Sequence, residues 1–215
     1  EFSSSIAFSP DGKILATSWF TQVILWDAYS GDKLYTISGG SYTTETGRVQ
    51  SVGQICFSPD GQFLAISNME GMTKIWEVKT QTEVLSINHS GLPPNTITYN
   101  LDGRLLAIGG DDGIVKVLDA VSGDVIHNFH LGGVIHGVAF SPNDSRLAAA
   151  SEDGSVKIWN SDSGEELLSL PRFSGFWDIA FLSNGRIVTA GQDGVARVWD
   201  CDSGQEVLTL AGHKS

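Results

Sequence analysis

The sequence predicts an all-β fold of five stacked, four-stranded antiparallel sheets, and three observations carry that prediction. An aromatic residue that precedes a turn recurs as Phe8, Phe57, Tyr99, Phe140 and Phe181, at intervals of 49, 42, 41 and 41 residues. A second anchor runs in parallel as Trp26-Asp27, Trp76-Glu77, Leu118-Asp119, Trp159-Asn160 and Trp199-Asp200. Between the turns lie segments of about four to six residues with period-two alternation and β-branched enrichment, while no stretch shows a helical period. A sheet made from one such repeat cannot bury both faces alone. It must stack on its neighbours, and radial stacking of twisted sheets gives a β-propeller.

Taken in order, each unit shows the same punctuation. The turn after the aromatic reads Ser9-Pro10-Asp11-Gly12, Ser58-Pro59-Asp60-Gly61, Asn100-Leu101-Asp102-Gly103, Ser141-Pro142-Asn143-Asp144 and, less regularly, Leu182-Ser183-Asn184-Gly185. Proline presets φ there, and glycine or asparagine supplies a positive φ. A further turn follows each closing anchor as Ser30-Gly31, Thr80-Gln81, Ser122-Gly123, Ser163-Gly164 and Ser203-Gly204. In the fourth unit the strands are expected at Gly137 to Phe140, Arg146 to Ala150, Val156 to Trp159 and Glu166 to Leu170. The blades are expected at about 1–38, 48–88, 92–130, 134–171 and 175–211. The first interval is the longest and places about eight extra residues, polar and containing Tyr42 and Arg48, between Ser38 and Gln50.

These residues resemble the WD-repeat β-propeller family, whose units carry a Gly-His dipeptide, an aromatic-Ser-Pro-Asp-Gly turn, a small-x-Asp-Gly turn and a closing Trp-Asp. The resemblance covers essentially the whole chain as five units. It implies a structural tetrad of His, Ser/Thr, Asp and Trp whose buried polar groups satisfy one another. No unit completes it. The fourth comes closest with Ser151, Asp153 and Trp159, but Leu131 stands where histidine belongs. Asp112, Asp193, Trp26, Trp76 and Trp199 hold the corresponding slots elsewhere, so apolar burial between blades is expected to supply most of the cohesion. Gly212-His213 would serve a following blade, and the chain is expected to be five blades of a larger ring, most often seven, with a closed five-membered ring as the alternative.

Composition narrows the function classes. With 25 acidic against 13 basic side chains the formal charge is −12, which repels phosphate backbones and argues against a nucleic-acid partner. No apolar run approaches the roughly 18 residues of a membrane span, and a cytoplasmic location is expected. Cys56 and Cys201 lack metal-ligand spacing, as do the five histidines; no metal or cofactor is expected. There is no Gly-x-Ser-x-Gly elbow, phosphate loop or His-Glu-x-x-His helix. The acid pairs Asp111-Asp112 and Glu152-Asp153 suit general acid–base chemistry, yet their second members sit where an Asx turn is expected.

The resemblance implies that the loop before each inner strand and the loop between second and third strands share one face, where partners dock. By slot that face holds Trp19 with Phe20, Met69, Asp111, Glu152 and Gln192, and just ahead of the inner strands Asn95, His136 and Trp177. Exposed aromatic and large apolar side chains make binding hot spots, so Trp19, Phe20, Tyr42 and Met69 are one candidate patch. Alternation sends one of Phe176 and Trp177 to the core, and Trp177 is expected outward. The function expected is a non-catalytic scaffold for protein or peptide partners on this face, with self-association through open blade faces. The alternatives are a regulatory sensor attached to an effector domain, or an enzyme using an acidic central site.

Overall fold

The structure is a computed structural model that describes residues 5–38, 51–89 and 93–212. Its local order starts in the turns. In Ser9-Pro10-Asp11-Gly12 the Ser9 hydroxyl donates to Asp11 at 2.7 Å, and Asp11 accepts the Lys13 N–H at 3.1 Å. Ser58 and Asp60 repeat this at 2.6 and 3.0 Å. These bonds hold both carboxyls below the ordinary aspartate range. The residue after the closing tryptophan caps the next turn: Asp27 Oδ1 accepts the N–H groups of Tyr29 and Ser30 at 2.9 and 2.8 Å. Asp119 and Asp200 do the same in their units. The Trp-Asp pair thus joins a core side chain to the cap of the turn that follows it.

With both turns satisfied locally, each unit folds into a sheet whose strands run in chain order. The first sheet comprises β1 (Ile6–Phe8), β2 (Ile14–Trp19), β3 (Gln22–Asp27) and β4 (Lys33–Ser38). The second comprises β5 (Val52–Phe57), β6 (Phe63–Asn68), β7 (Met72–Glu77) and β8 (Thr82–Asn88). The third comprises β9 (Pro94–Tyr99), β10 (Leu105–Gly110), β11 (Ile114–Asp119) and β12 (Val125–His130). The fourth comprises β13 (Ile135–Phe140), β14 (Arg146–Ser151), β15 (Val156–Asn160) and β16 (Glu166–Ser169). The fifth comprises β17 (Phe176–Phe181), β18 (Arg186–Gly191), β19 (Val195–Asp200) and β20 (Glu206–Ala211). All pairings are antiparallel, and no helix occurs among the described residues.

The core lies between sheets. Ala16, Val23, Leu25 and Ile37 of the first sheet pack on Val52, Ile55, Leu64 and Ile66 of the second. Comparable clusters join the second sheet to the third, the third to the fourth and the fourth to the fifth. Inner strands neighbour one another in the order β1, β5, β9, β13, β17, and no packing of comparable extent joins β17 back to β1. The outer faces of the end sheets carry exposed Ile6 and Phe8 on one side and Leu208 and Leu210 on the other.

Candidate functional site

Antiparallel order puts the connections between sheets at the same end as the turns between second and third strands. Those turns occupy residues 20–21, 69–71, 111–113, 152–155 and 192–194, so this end is the loop-rich face. The slot assigned to Trp19 needs correction. The first turn is shorter than the others, Trp19 is the last residue of β2 and pairs with Gln22, and its counterpart is Asn68 rather than Met69. Ser18 and Ser67 fix this equivalence: their hydroxyls accept N–H bonds from Ser5 and Gln54 at 2.7 and 2.9 Å. Thr21 stands where the other turns have glycine, and the left-handed conformation passes instead to Phe20, at φ 50°. Trp19 is 63% exposed, with its ring edge-on to Phe20 at 5.6 Å. Met69 is exposed on the next turn, and Tyr42 lies outside the described residues.

Asn95, His136 and Trp177 also need correction. They are not ahead of the inner strands but are the second residues of β9, β13 and β17. In each strand the register slips at that point. Pro94 faces Gly110 and Thr96 faces Gly109; Ile135 faces Ser151 and Gly137 faces Ala150; Phe176 faces Gly191 and Asp178 faces Ala190. Each of the three is therefore the unpaired residue of a β-bulge, a device that re-aims a side chain. The second sheet slips at the same place, since Val52 faces Asn68 and Ile55 faces Ile66, so that Gly53 and Gln54 stand against Ser67 alone. Four consecutive blades carry the irregularity, and in the second the equivalent residue is Gly53, without a side chain.

The bulged side chains meet the neighbouring turns. Asn95 Nδ2–H donates to Asp111 Oδ1 at 2.7 Å. The His136 and Trp177 rings lie 5.0 Å apart at 52°, and His136 Nε2 is buried without a hydrogen-bond partner among the described residues. Phe176 is buried while Trp177 is 56% exposed, and the bulge interrupts the alternation, since Asp178 is exposed as well and Ile179 is buried. The Glu152 N–H donates to the Val134 carbonyl, and the Gln192 N–H to the Gly175 carbonyl, each at 2.9 Å. These bonds tie Glu152 and Gln192 to the segments entering β13 and β17. Asn95, Asp111, His136, Glu152, Trp177 and Gln192 therefore line one arc over the third to fifth sheets.

Around this arc the second acids of the turns are structural. Asp112, Asp153 and Asp193 accept the N–H groups of Ile114, Ser155 and Val195 at 3.1, 2.9 and 3.1 Å. They pair with Lys116, Arg172 and Arg197 at 3.3, 3.3 and 2.6 Å. Burial pushes Asp153 up, but hydrogen bonds from Ser151 and Ser155 and the Arg172 charge outweigh it and hold the carboxyl low. The Arg197 bond does the same for Asp193. The hydroxyls that accept the indole N–H also differ from those expected at the ends of the second strands. Thr17 accepts from Trp26 at 2.9 Å and Thr189 from Trp199 at 3.0 Å, both inside their strands, while Ser151 bonds Asp153 instead. Ile66 holds the corresponding place in the second sheet, and Trp76 Nε1 is buried without a hydrogen-bond partner among the described residues. Trp159 stacks on Phe129 at 4.6 Å.

Two residues carry more structure than their sequence positions suggest. Arg197, in the middle of β19, lies against Asp193 and Glu206 and over the Phe173 ring at 4.6 Å; its signal was an arginine at an inward position with an acid four residues before it. His89 sits one residue before the expected histidine slot. It is buried, with Nε2 3.0 Å from the Thr73 hydroxyl. Desolvation and the nearby Lys116 charge, against Asp112, lower its pKa from 6.5 to about 4. The unfolded chain therefore takes up a proton that the folded chain refuses, and stability contributed by neutral His89 is lost as pH falls from 6.5 toward 4. Urea titrations should show a decline on the order of 2 kcal/mol across that window, absent in His89→Gln. The lowered aspartates lose their contributions only below the ordinary carboxylate range.

Among the described residues no group of three or more His, Cys, Asp or Glu side chains is arranged to hold a metal ion. Burial raises the Cys56 thiol to about 12 and Cys201 to about 11, so both are poor nucleophiles and poor ligands. Among the described residues no helix is long and apolar enough to cross a membrane.

Five four-stranded sheets packed through their faces around a shared row of inner strands define a β-propeller, and the repeated Trp-Asp closures define its type. The model for the WD domain, G-beta repeat, matches residues 123–160 and 164–200. That for the anaphase-promoting complex subunit 4 WD40 domain matches residues 6–92 and 89–135. The chain belongs to the WD-repeat family. It is 31% identical over 165 residues to WD repeat-containing protein SL1-17 of Schistosoma mansoni, covering 76% of this chain and 52% of that protein. It is 34% identical over 138 residues to small ribosomal subunit protein RACK1y of Oryza sativa subsp. japonica, covering 62% of this chain and 40% of that one. The chain thus spans about half the length of the curated relatives it matches. A chain in the crystal structure of the mitotic checkpoint complex superposes with a TM-score of 0.85 at 21% identity, over 98% of this chain and 64% of that one. At that identity the likeness is one of fold.

Proposed function

We propose that the protein is a non-catalytic scaffold that receives a protein or peptide partner on the loop-rich face, along the arc of Asn95, Asp111, His136, Glu152, Trp177 and Gln192. The observation that carries this reading is what the repeated bulge presents. Four inner strands give up ladder pairing at one register, and where the second has glycine the third to fifth place an amide, an imidazole and an indole at the same mouth, with the indole largely exposed. A half-exposed tryptophan ringed by polar groups has the composition of a binding hot spot. A relative that is named as a ribosomal subunit protein supports a role in assemblies. The acids nearest the arc favour scaffold over enzyme: Asp153 and Asp193 are ionised and ion-paired, so neither is poised to give or take a proton near neutral pH. Trp19 and Met69 extend the same face over the first two sheets.

The test is affinity capture with quantitative mass spectrometry. Trp177→Ala combined with Glu152→Lys should lower stoichiometric co-purifying proteins about tenfold, as expected for removal of an anchor. Trp19→Ala with Met69→Ala measures the other patch, and Asp32→Lys at the opposite end serves as control. Each variant is first shown to melt cooperatively. Retention of all partners by the Trp177/Glu152 variant would refute the arc.

A further inference from the structure

The opposite end of the molecule carries turns after each inner strand and after each closing tryptophan. Between the third and fourth sheets these turns enclose an open cleft of about 640 Å³. Its apolar surface includes Leu101, 69% exposed, and Ile126, 44% exposed. Its margin carries three carboxylates, Asp102, Asp144 and Asp162, against one guanidinium, Arg104. Asp144 shares Arg146 with Asp202, at 3.5 and 2.6 Å, so the excess negative charge of the margin rests on Asp102 and Asp162. Asp162 accepts the Ser145 hydroxyl at 2.5 Å, which fixes one of its carboxylate oxygens.

The repeat supplies an internal comparison. The equivalent cleft between the first and second sheets, about 700 Å³, is lined by Leu34, Tyr35, Val78, Lys79 and Glu77, with one acid for one base. Ser161-Asp162 replace Val78-Lys79 at the same turn. The fold therefore makes the cleft, and the residues of the third and fourth units make it acidic.

We infer that the cleft between the third and fourth sheets is a second docking site, for an extended peptide segment that presents one bulky aliphatic side chain flanked by lysine or arginine. The aliphatic group covers Leu101 and Ile126, which removes exposed apolar surface from water. The flanking cations meet Asp102 and Asp162, where charge complementarity selects among peptides of equal hydrophobicity. This site is separate from the loop-rich face, at the other end of the strands.

The experiment is fluorescence polarisation at about 0.15 M salt, where surface charges act over roughly 8 Å. The probe is labelled Gly-Ser-Lys-Leu-Lys-Arg-Ser-Gly, compared with versions carrying Ser for Leu or Glu for each basic residue. The intact chain should bind the basic leucine peptide at least about tenfold more tightly than either control. Asp162→Lys and Ile126→Ser should each weaken it by about the same factor, and Asp32→Lys, an equal charge change at the first sheet, should leave it unaltered. Amide shifts should centre on Leu101, Ile126 and Asn143. No binding, equal affinity for all three peptides, or an equal loss in Asp32→Lys would overturn the site. Loss only in the Trp177/Glu152 variant would assign the peptide to the loop-rich face instead.

Discussion

Gly154→Ala should be among the most destabilising single substitutions in the chain. Gly154 closes the turn between β14 and β15 at φ 83°, a conformation unfavourable to any side chain by about 1–2 kcal/mol. A Cβ built there would lie 1.9 Å from the Phe173 carbonyl oxygen, which is backbone and cannot rotate aside. Overpacking of that kind adds about 1–3 kcal/mol, so a total loss of about 3–4 kcal/mol is expected. Gly12→Ala is the comparison: it shares the positive φ, at 71°, but meets nothing within 4 Å, and should cost about 1 kcal/mol. Chemical denaturation of the two variants separates conformational strain from contact. Equal losses would show that the approach of Phe173 is not tight. Because Phe173 begins the segment that leads to β17, Gly154→Ala should also displace Trp177 and weaken partner capture at the rim.

Arg197→Met should cost about 2–3 kcal/mol, less than a fully buried ion pair because its partners retain some solvent. The guanidinium donates to Asp193 at 3.2 and 2.6 Å through two nitrogens, lies 3.9 Å from Glu206, and covers the Phe173 ring. Its side chain is only 12% exposed. Methionine keeps the packing volume but leaves Asp193 and Glu206 facing each other without a cation. Asp193→Asn alone should be milder, and the double variant should recover part of the loss, giving a coupling of about 1 kcal/mol in a double-mutant cycle. Lys at 197 should rescue only partly, since a point charge cannot reproduce the two-nitrogen contact or stack on Phe173. Full additivity would mean that Arg197 acts through packing alone.

Much of the fold was legible because its signals are local. The Ser-Pro-Asp-Gly turns and the residues Asp27, Asp119, Asn160 and Asp200 after the closing anchors satisfy their own hydrogen bonds within a few residues, so their spacing reads directly as strand boundaries. Alternation alone said that one of Phe176 and Trp177 faces the core; the bulge in β17 decides that it is Phe176. The site was legible only as slots. Counting back from Trp26 misplaced Trp19, because the first turn lacks the glycine of its counterparts and closes with one residue fewer. Counting from the inner aromatics put Asn95, His136 and Trp177 outside strands that in fact contain them, because a bulge adds a residue that pairs with nothing on the second strand.

His89 and Arg197 show the same boundary from the side of the core. His89 misses the counted slot by one residue yet stands at the register of Leu131, its N–H on the Gly71 carbonyl as that of Leu131 is on Gly113. Arg197 fills no motif position but occupies the polar space between blades. The sequence by itself determined the acidic character of the chain, which is composition alone, and the repeat, the four-stranded unit and its turns, which depend on contacts among near neighbours. Only the tertiary structure decided which side chains converge at the rim, which carboxylates are paired and where a cleft opens. Those outcomes depend on distances between blades, and side chains about forty residues apart leave no pattern in a single sequence that says whether they touch.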